Sequence, residues 1–327
     1  MKSRIKFFSN LKTFLSLDVK NRIADNTRRI IDLEDVVSKL DVAISNHLEY
    51  NRLMEYYLLH QEEMSPYRRE LTYLESVKKF CNFPYSLASP KNPVQYGVDD
   101  SRMPYVIHNG ERLFFPYGTP TEEMLSLYDY YVHVEKLLEK EDSEDAPHQY
   151  QSPRVQVSEG DTLFDIGAAE GLFCLDNIKK VSKAVIVESD PKWLEPLKKT
   201  FSPFKDKVVI LNSFISANDT ESTVSLSSLI RDFNCQSAFF KMDIEGYELP
   251  AIMSSIQVIQ QLSRTKMAIA TYHKQNDFVE LKSVFDGIGY YSESSDGYML
   301  FNLYDVPMPP FFRKGIIRVL SPDLKVS

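Results

Sequence analysis

The apolar positions of the chain change rhythm three times. Over 23–58 they recur in sevens: Ile23, Ile30, Val37 and Ile44 stand one heptad apart, Leu33 and Leu40 lie three residues further on, and Asn26 and His47 take the equivalent outer positions. β-Branched residues at one seam position and leucine at the other suit a parallel two-stranded coiled coil. A helix folded back on its own domain satisfies the same pattern, so a homodimer through 23–58 and packing in cis both stay open. His47 reads as a seam-edge residue rather than a ligand. From 60 to 150 the rhythm is mixed. A helix is predicted over 62–80, and a turn-rich break follows at Pro84, Pro90 and Pro93. The run 103–118 reads as a hairpin, because Asn109-Gly110 is the favoured two-residue turn between apolar runs. A helix rich in aromatic and leucine positions is predicted over 121–140.

From 154 onward short apolar runs alternate with helical segments, which implies a parallel sheet with helices on both faces. Strands are predicted at 162–165, 184–188, 207–211, 238–242 and 266–271, then as a closing antiparallel pair near 288–291 and 297–303. The divisions that follow are a helical N-terminal region over 1–100 and a hairpin, helix and acidic linker over 101–150. An α/β domain over 151–305 and a C-terminal tail over 306–327 complete the chain. No internal repeat is present.

Composition narrows this picture in a few places. The 327 residues allow two domains or one with an extension, and 43% hydrophobic with 26% charged residues is ordinary for a globular protein. A net charge of −8 speaks against a nucleic-acid partner. Cys81, Cys174 and Cys235 are odd in number and far apart, which fits a reducing compartment and a cytoplasmic location. No apolar run is long enough to span a bilayer. The first 22 residues carry six basic side chains and one acid among Phe7, Phe8, Leu11, Phe14 and Leu15. Such a segment either rests on an anionic membrane or packs on its own protein; Lys12 interrupts it too early for a signal peptide. The acidic run 139–145 reads as a solvated linker.

The chemistry begins at Leu163-Phe164-Asp165-Ile166-Gly167-Ala168-Ala169-Glu170-Gly171, a strand, a loop and a helix start. That arrangement grips nucleotide-like cofactors. Gly167 can take positive φ and let backbone approach a ligand, and Gly171 can let the helix pack close to the sheet. The dinucleotide fingerprint G-x-G-x-x-G lacks its middle glycine here, and Glu170 adds a negative charge. The loop therefore argues against a pyrophosphate and for a cofactor with a positive centre, S-adenosylmethionine. Glu188 follows Gly171 by 17 residues at the tip of the second strand. There it can accept both hydrogen bonds of a ribose diol, and Ser189-Asp190-Pro191 also reads as a helix start.

Asp165, Glu188, Asn212, Asp243 and His273 all fall at or just past the carboxyl ends of predicted strands, where open α/β sheets bind ligands. Asp243 and Glu245 are two carboxylates at one strand tip, suited to electrostatic or proton-handling work beside a sulfonium. They could also hold a divalent cation, but no full ligand set is visible, and no metal is expected. Glu248 reads as a helix-start acid. His273 is the candidate base for a hydroxyl acceptor, with Asp243 as the competing choice. His148 and Tyr150, just ahead of the domain, could close over the pocket.

Five parallel strands and a closing pair resemble the class I methyltransferase (Rossmann-like) fold, a seven-stranded sheet with helices on both faces. Asp-Ile-Gly-Ala at 165–168 with Gly171, Glu188-Ser-Asp-Pro191, Ser225-Leu-Ser-Ser-Leu-Ile230 and above all Lys241-Met-Asp-Ile-Glu-Gly-Tyr-Glu248 resemble the FkbM-type methyltransferases. The resemblance covers roughly 155–303, and Ser189 departs from the family's usual E-P-D. It implies an S-adenosylmethionine-dependent enzyme that O-methylates a sugar, glycan or natural-product-like small molecule. Asp165, Gly167, Ala168 and Gly171 would line the methionine part of the cofactor. Glu188 and Ser189 would hold the ribose and border the adenine, with Asn212 and Ser213 beside it. Asp243 and Glu245 would face the transferring methyl. The competing expectation is an assembly protein with a relic fold and a partner-binding N-terminus; the retained strand-tip acids oppose it.

Overall fold

A computed structural model describes residues 26, 29, 33, 36–84, 94–134, 146–233, 237–301 and 307–324. The basic segment 1–22, the linker 139–145, the proposed helix end at 135–140, and Ile23 and Ile30 of the heptad row lie outside them. The chain divides into two units, one running through Leu59 with Lys78–Phe80, the other of His60–Val77 and Cys81–Ser327.

In the first unit, a helix (α1) covers 36–59. The heptad positions Leu33, Val37, Leu40 and Ile44 are 63%, 54%, 55% and 57% exposed, so the expected seam faces solvent within a single chain.

The first α-helix of the second unit is α2 (Arg68–Val77), which starts six residues after and ends three before the predicted helix over 62–80. A small antiparallel sheet follows: β1 (Tyr96–Val98), β2 (Pro104–His108) and β3 (Glu111–Phe114). The predicted hairpin is β2–β3, closing His108 against Glu111, with Asn109 and Gly110 both at positive φ as the turn requires. The proline-rich stretch hid β1. Next comes α3 (Thr121–Val134).

The main sheet alternates strand and helix. Its elements are β4 (Thr162–Ile166), α4 (Leu172–Asn177), β5 (Lys183–Val187), α5 (Leu194–Thr200) and β6 (Val208–Leu211). A two-stranded ribbon, β7 (Phe214–Ser216) and β8 (Thr223–Ser225), leads to α6 (Leu226–Phe233). Then come β9 (Ser237–Met242), α7 (Glu248–Ile259), β10 (Arg264–Ala270), α8 (Asp277–Gly287), β11 (Tyr291–Ser294) and β12 (Ile316–Leu320). The strand order is β11-β12-β10-β9-β4-β5-β6, with β12 alone antiparallel to its neighbours. That order, with its reversed seventh strand, is the class I methyltransferase fold.

The central strands read as unbroken apolar runs because both faces are covered. Leu163 and Phe239 join the core under α4 and α5; Phe164 and Phe240 join the one under α6, α7 and α8. Phe164 and Phe240 stack at 4.5 Å between ring centroids.

The closing strand is a correction. Among the described residues of the stretch predicted at 297–303, β pairing is limited to a bridge from Met299 to Arg313, and the seventh strand is β12, inside the presumed tail 306–327. Arg318 disguised it, as a charge in the middle of Ile-Ile-Arg-Val-Leu. Its guanidinium is buried, donating from Nε and Nη2 to Gln149 O at 3.1 and 2.8 Å and lying 3.5 Å from Glu293. A chain ended at 305 should therefore lose cooperative folding, because β10 and β11 lose the strand between them. Circular dichroism melting checks this; a sharp transition in the shortened chain would contradict the placement of β12.

Candidate active site

The loops after β4, β5 and β9 meet at the carboxyl edge of the sheet. Gly167 takes φ +71°, and a Cβ there would stand 1.8 Å from Asp243 O, so backbone lies against backbone. Gly167 N donates to Val187 O at 2.8 Å and Asp243 N to Ile166 O at 3.0 Å, which sews the three strand tips together. A Cβ on Gly171 would meet Leu197 and Phe201 at 2.8 and 2.9 Å, so the close packing at Gly171 is against α5 and its end, where the sequence predicts packing against the sheet.

Beneath the loop lies a buried ion pair. Parallel register sets Asp165 beside Lys241 on adjacent strands, and their charged atoms are 3.3 Å apart. Lys241 also donates to Gly167 O, and Asp165 accepts from Cys174 N at 3.2 Å. Burial works against the Lys241 charge, but Asp165, Asp243 and Glu170 outweigh it and raise its pKa.

Two cavities open above. The first, of about 480 Å³, is lined by Gly167, Ala169, Glu188, Ser189, Trp193, Ser213, Ile215, Asp243, Glu245 and Tyr247 among others. Glu188 Oε2 accepts from Ala169 N and Oε1 from Asp190 N, both at 2.7 Å, which fixes its carboxylate at the rim. The second, of about 320 Å³, is lined by Phe83, Tyr130, Tyr131, His148, Tyr150, Glu170, Phe173, Asp243, Glu245, Tyr272 and Phe301 among others. Ala169, Asp243 and Glu245 belong to both. Ala169 and Glu245 hold positive φ, +46° and +60°, without being glycine. Such strain costs on the order of 1–3 kcal/mol and clusters at functional sites.

Asp243 is the hub. Its Oδ2 accepts from Tyr150 OH at 2.7 Å, Tyr272 OH lies 3.1 Å from both oxygens, and His148 Nε2 is 3.5 Å away. Burial disfavours its charge, yet the contacts with His148, His273 and Lys241 hold its pKa well below the usual carboxylate range. Behind it, His273 is fully buried, with Nδ1 3.0 Å from Glu248 and Nε2 3.4 and 3.5 Å from Asp243 and Glu245. Burial lowers its pKa, but the contact with Glu248 and the charges of Asp243, Glu248 and Glu245 more than compensate, so the net shift is upward. Asp243, Glu248 and His273 each bring a donor atom within 4.8 Å of the others, the one set of metal-ligating types so close among the described residues. The upward shift of His273 favours an imidazolium between these acids.

The predicted site residues therefore divide. Gly167, Glu188, Ser189, Ser213, Asp243 and Glu245 line the first cavity, and Ala168 lines the second. Asp165, Gly171, Asn212 and His273 line neither. Asn212 Nδ2 donates to Glu188 O and Ser189 O at 2.8 and 3.1 Å, holding the loop from behind. Glu248 starts α7 as read, and its carboxylate also takes Ile244 N at 2.8 Å. Trp193 and Lys241 were missed as site residues. The first is the chain's single tryptophan, just past a strand-tip acid, and the second opens the 241–248 block, so both left a signal.

No sequence-family profile and no curated protein matches the chain. Solved structures do. The chain is similar to the methyltransferase FkbM from Methylobacillus flagellatus, at 20% identity and a TM-score of 0.39 over 53% of this chain and 50% of that one. It thus spans about half the length of that protein, and the FkbM resemblance in the sequence has a counterpart among solved structures. Others are Trm5b from Pyrococcus abyssi (14%, TM-score 0.34, 70% and 63% covered) and a putative methyltransferase from Streptococcus mutans in complex with SAH (11%, 0.33, 53% and 94%). At these TM-scores the likenesses carry no argument of their own; the fold rests on the strand order. No helix among the described residues is long and apolar enough to cross a membrane.

His273 gives this site a pH signature. A histidine whose folded pKa is raised adds stability that is complete below its unfolded value of 6.5 and is lost as pH rises through the folded one. The melting temperature of the wild type should exceed that of His273→Gln most at pH 6, with the gap narrowing above pH 6.5. A gap independent of pH would contradict the charged imidazole.

Proposed function

We propose that this chain is a methyltransferase that uses S-adenosylmethionine and methylates a hydroxyl of a sugar, glycan or other small molecule. The observation that carries the reading is the meeting of two cavities at Ala169, Asp243 and Glu245. The charge of the first cavity supports the fit. Glu188, Asp190, Asp243 and Glu245 line it, and its one lysine, Lys192, is engaged by Asp190 at 2.8 Å. Such a wall favours a sulfonium and repels a pyrophosphate. When bound, S-adenosylmethionine supplies an electrophilic methyl and leaves with the bonding pair as a neutral thioether. Gly167 makes room for its methionine part, Glu188 accepts from the ribose diol with Ser189 alongside, and Ser213 and Trp193 border the adenine. Asp165, Ala168, Gly171 and Asn212 shape this cradle from behind or from the acceptor side.

The second cavity takes the acceptor, and its volume suits a single ring more than a nucleic acid. Alignment is the main source of rate, up to about 7–11 kcal/mol in the best intramolecular cases. The acceptor hydroxyl gives up its proton as its oxygen takes the methyl. Asp243 is too well stabilised as a carboxylate to be a strong base. His148, on the same wall, takes the proton, and Asp243 and Glu245 orient the partners. His273 works one layer back, as a positioning residue for Asp243. Titration calorimetry should find one SAH site per chain, and Glu188→Ala should weaken it tenfold or more, about 1.4 kcal/mol. A wild-type chain that fails to bind SAH removes the reading.

The exposed row of α1 supports a second reading for the N-terminal unit, self-association as a parallel coiled coil, which would serve an assembly role with or without catalysis. Sedimentation should give a dimer for the full chain and a monomer for Leu40→Lys; a monomeric wild type rules it out.

A further inference from the structure

Glu170 has no part in the chemistry above, yet it is only 7% exposed and lines the second cavity. Its carboxylate takes backbone amides, its own and that of Leu172, and among the described residues it forms no ion pair. Burial, with the charge of Asp165 adding to it, pushes its pKa up to about 7. Lys241, the lysine of the same wall, is already committed to Asp165 and Gly167 O. Asp243 has His273 and two tyrosine hydroxyls; Glu170 has only backbone amides and the charge of Lys241, which do not offset its burial.

Aromatic rings line the same cavity as this acid. Tyr150 and Phe173 meet edge to face at 5.3 Å, and Tyr130 and Tyr131 at 5.9 Å, on the wall that also holds Glu170. The charge of Glu170 is felt at Tyr131, whose phenol is pushed above its ordinary range, mainly by burial. A carboxylate without an ion pair on an aromatic-lined wall is the chemistry that recognises an ammonium group.

We propose that the second cavity selects a cationic acceptor, a hydroxylated amine about the size of one sugar ring, by pairing its ammonium with Glu170 inside the aromatic wall. This rests on the methyltransferase reading of the site. The amine anchors the ring, and a hydroxyl elsewhere on the ring is the group methylated. Acceptors bearing phosphate or carboxylate are excluded by Glu170, Asp243 and Glu245 together.

Three probes with one ring shape test it: methyl α-D-glucosaminide, methyl α-D-glucoside and methyl α-D-glucuronide, titrated at pH 7.5 into the chain saturated with SAH. The aminoglycoside should bind about tenfold or more tightly than the neutral glycoside, the margin of a charged hydrogen bond, and the uronide should not bind. Glu170→Gln should erase the preference while still binding the neutral ring. Equal binding of the first two probes, or no binding of any, overturns the proposal, as does a preference that survives in Glu170→Gln. Absence of SAH binding in the first step overturns the cofactor reading instead, so the two failures are distinguishable.

Discussion

Everything at the carboxyl edge of the sheet leans on the buried pair of Asp165 and Lys241. Parallel register brings the two residues side by side on β4 and β9, and the lysine then reaches Gly167 O while the aspartate takes Cys174 N. One pair thus holds the turn out of β4, through Gly167 O, and the first turn of α4, through Cys174 N. Two charges out of water gain little net stability over an apolar pair of the same volume, but losing one partner typically costs about 3–5 kcal/mol. The pair is therefore better understood as a device for holding a geometry than as a source of stability. It leaves the backbone of Gly167 and Asp243 in contact, too close for any Cβ between them.

A second layer of charge sits on the other side of Asp243. Glu248, fixed at the start of α7, orients the imidazole of His273, which faces Asp243 and Glu245. Tyr272, next to His273 past the end of β10, and Tyr150 and His148, from the segment before β4, complete the surroundings of Asp243. The carboxylate is thus restrained from three directions, by β10, by the segment before β4 and by the strand that bears it. Glu245, at positive φ and 65% exposed at its side chain, is the less restrained of the two acids.

Much of this was legible in the sequence. The central strands are apolar on both faces, so their positions could be read to within a few residues, and strand-tip acids converge because the sheet brings its carboxyl ends together. What failed were features set by partners far away in the chain. Phe301 ends an unbroken apolar run and Ile316 opens one interrupted by Arg318, and only pairing with β10 and β11 decides that the second is the strand. Asn212 falls at a strand end as expected, but its amide faces the backbone of Glu188 rather than the cavity. Glu170 was read against a phosphate; the turn at Ala169 sends its side chain to the acceptor side. His148 and Tyr150 carried only their position ahead of the domain as a hint.

The arginine inside β12 reaches beyond the sheet. By gripping Gln149 O, it fastens the segment that carries His148 and Tyr150 to a strand made 169 residues later. Ser295 Oγ, donating to Pro147 O at 2.7 Å, adds a second fastening from the same late region. The wall that carries His148 and Tyr150 is thus held by residues beyond 290, whereas the bonds that join the tips of β4, β5 and β9 are made within 166–243.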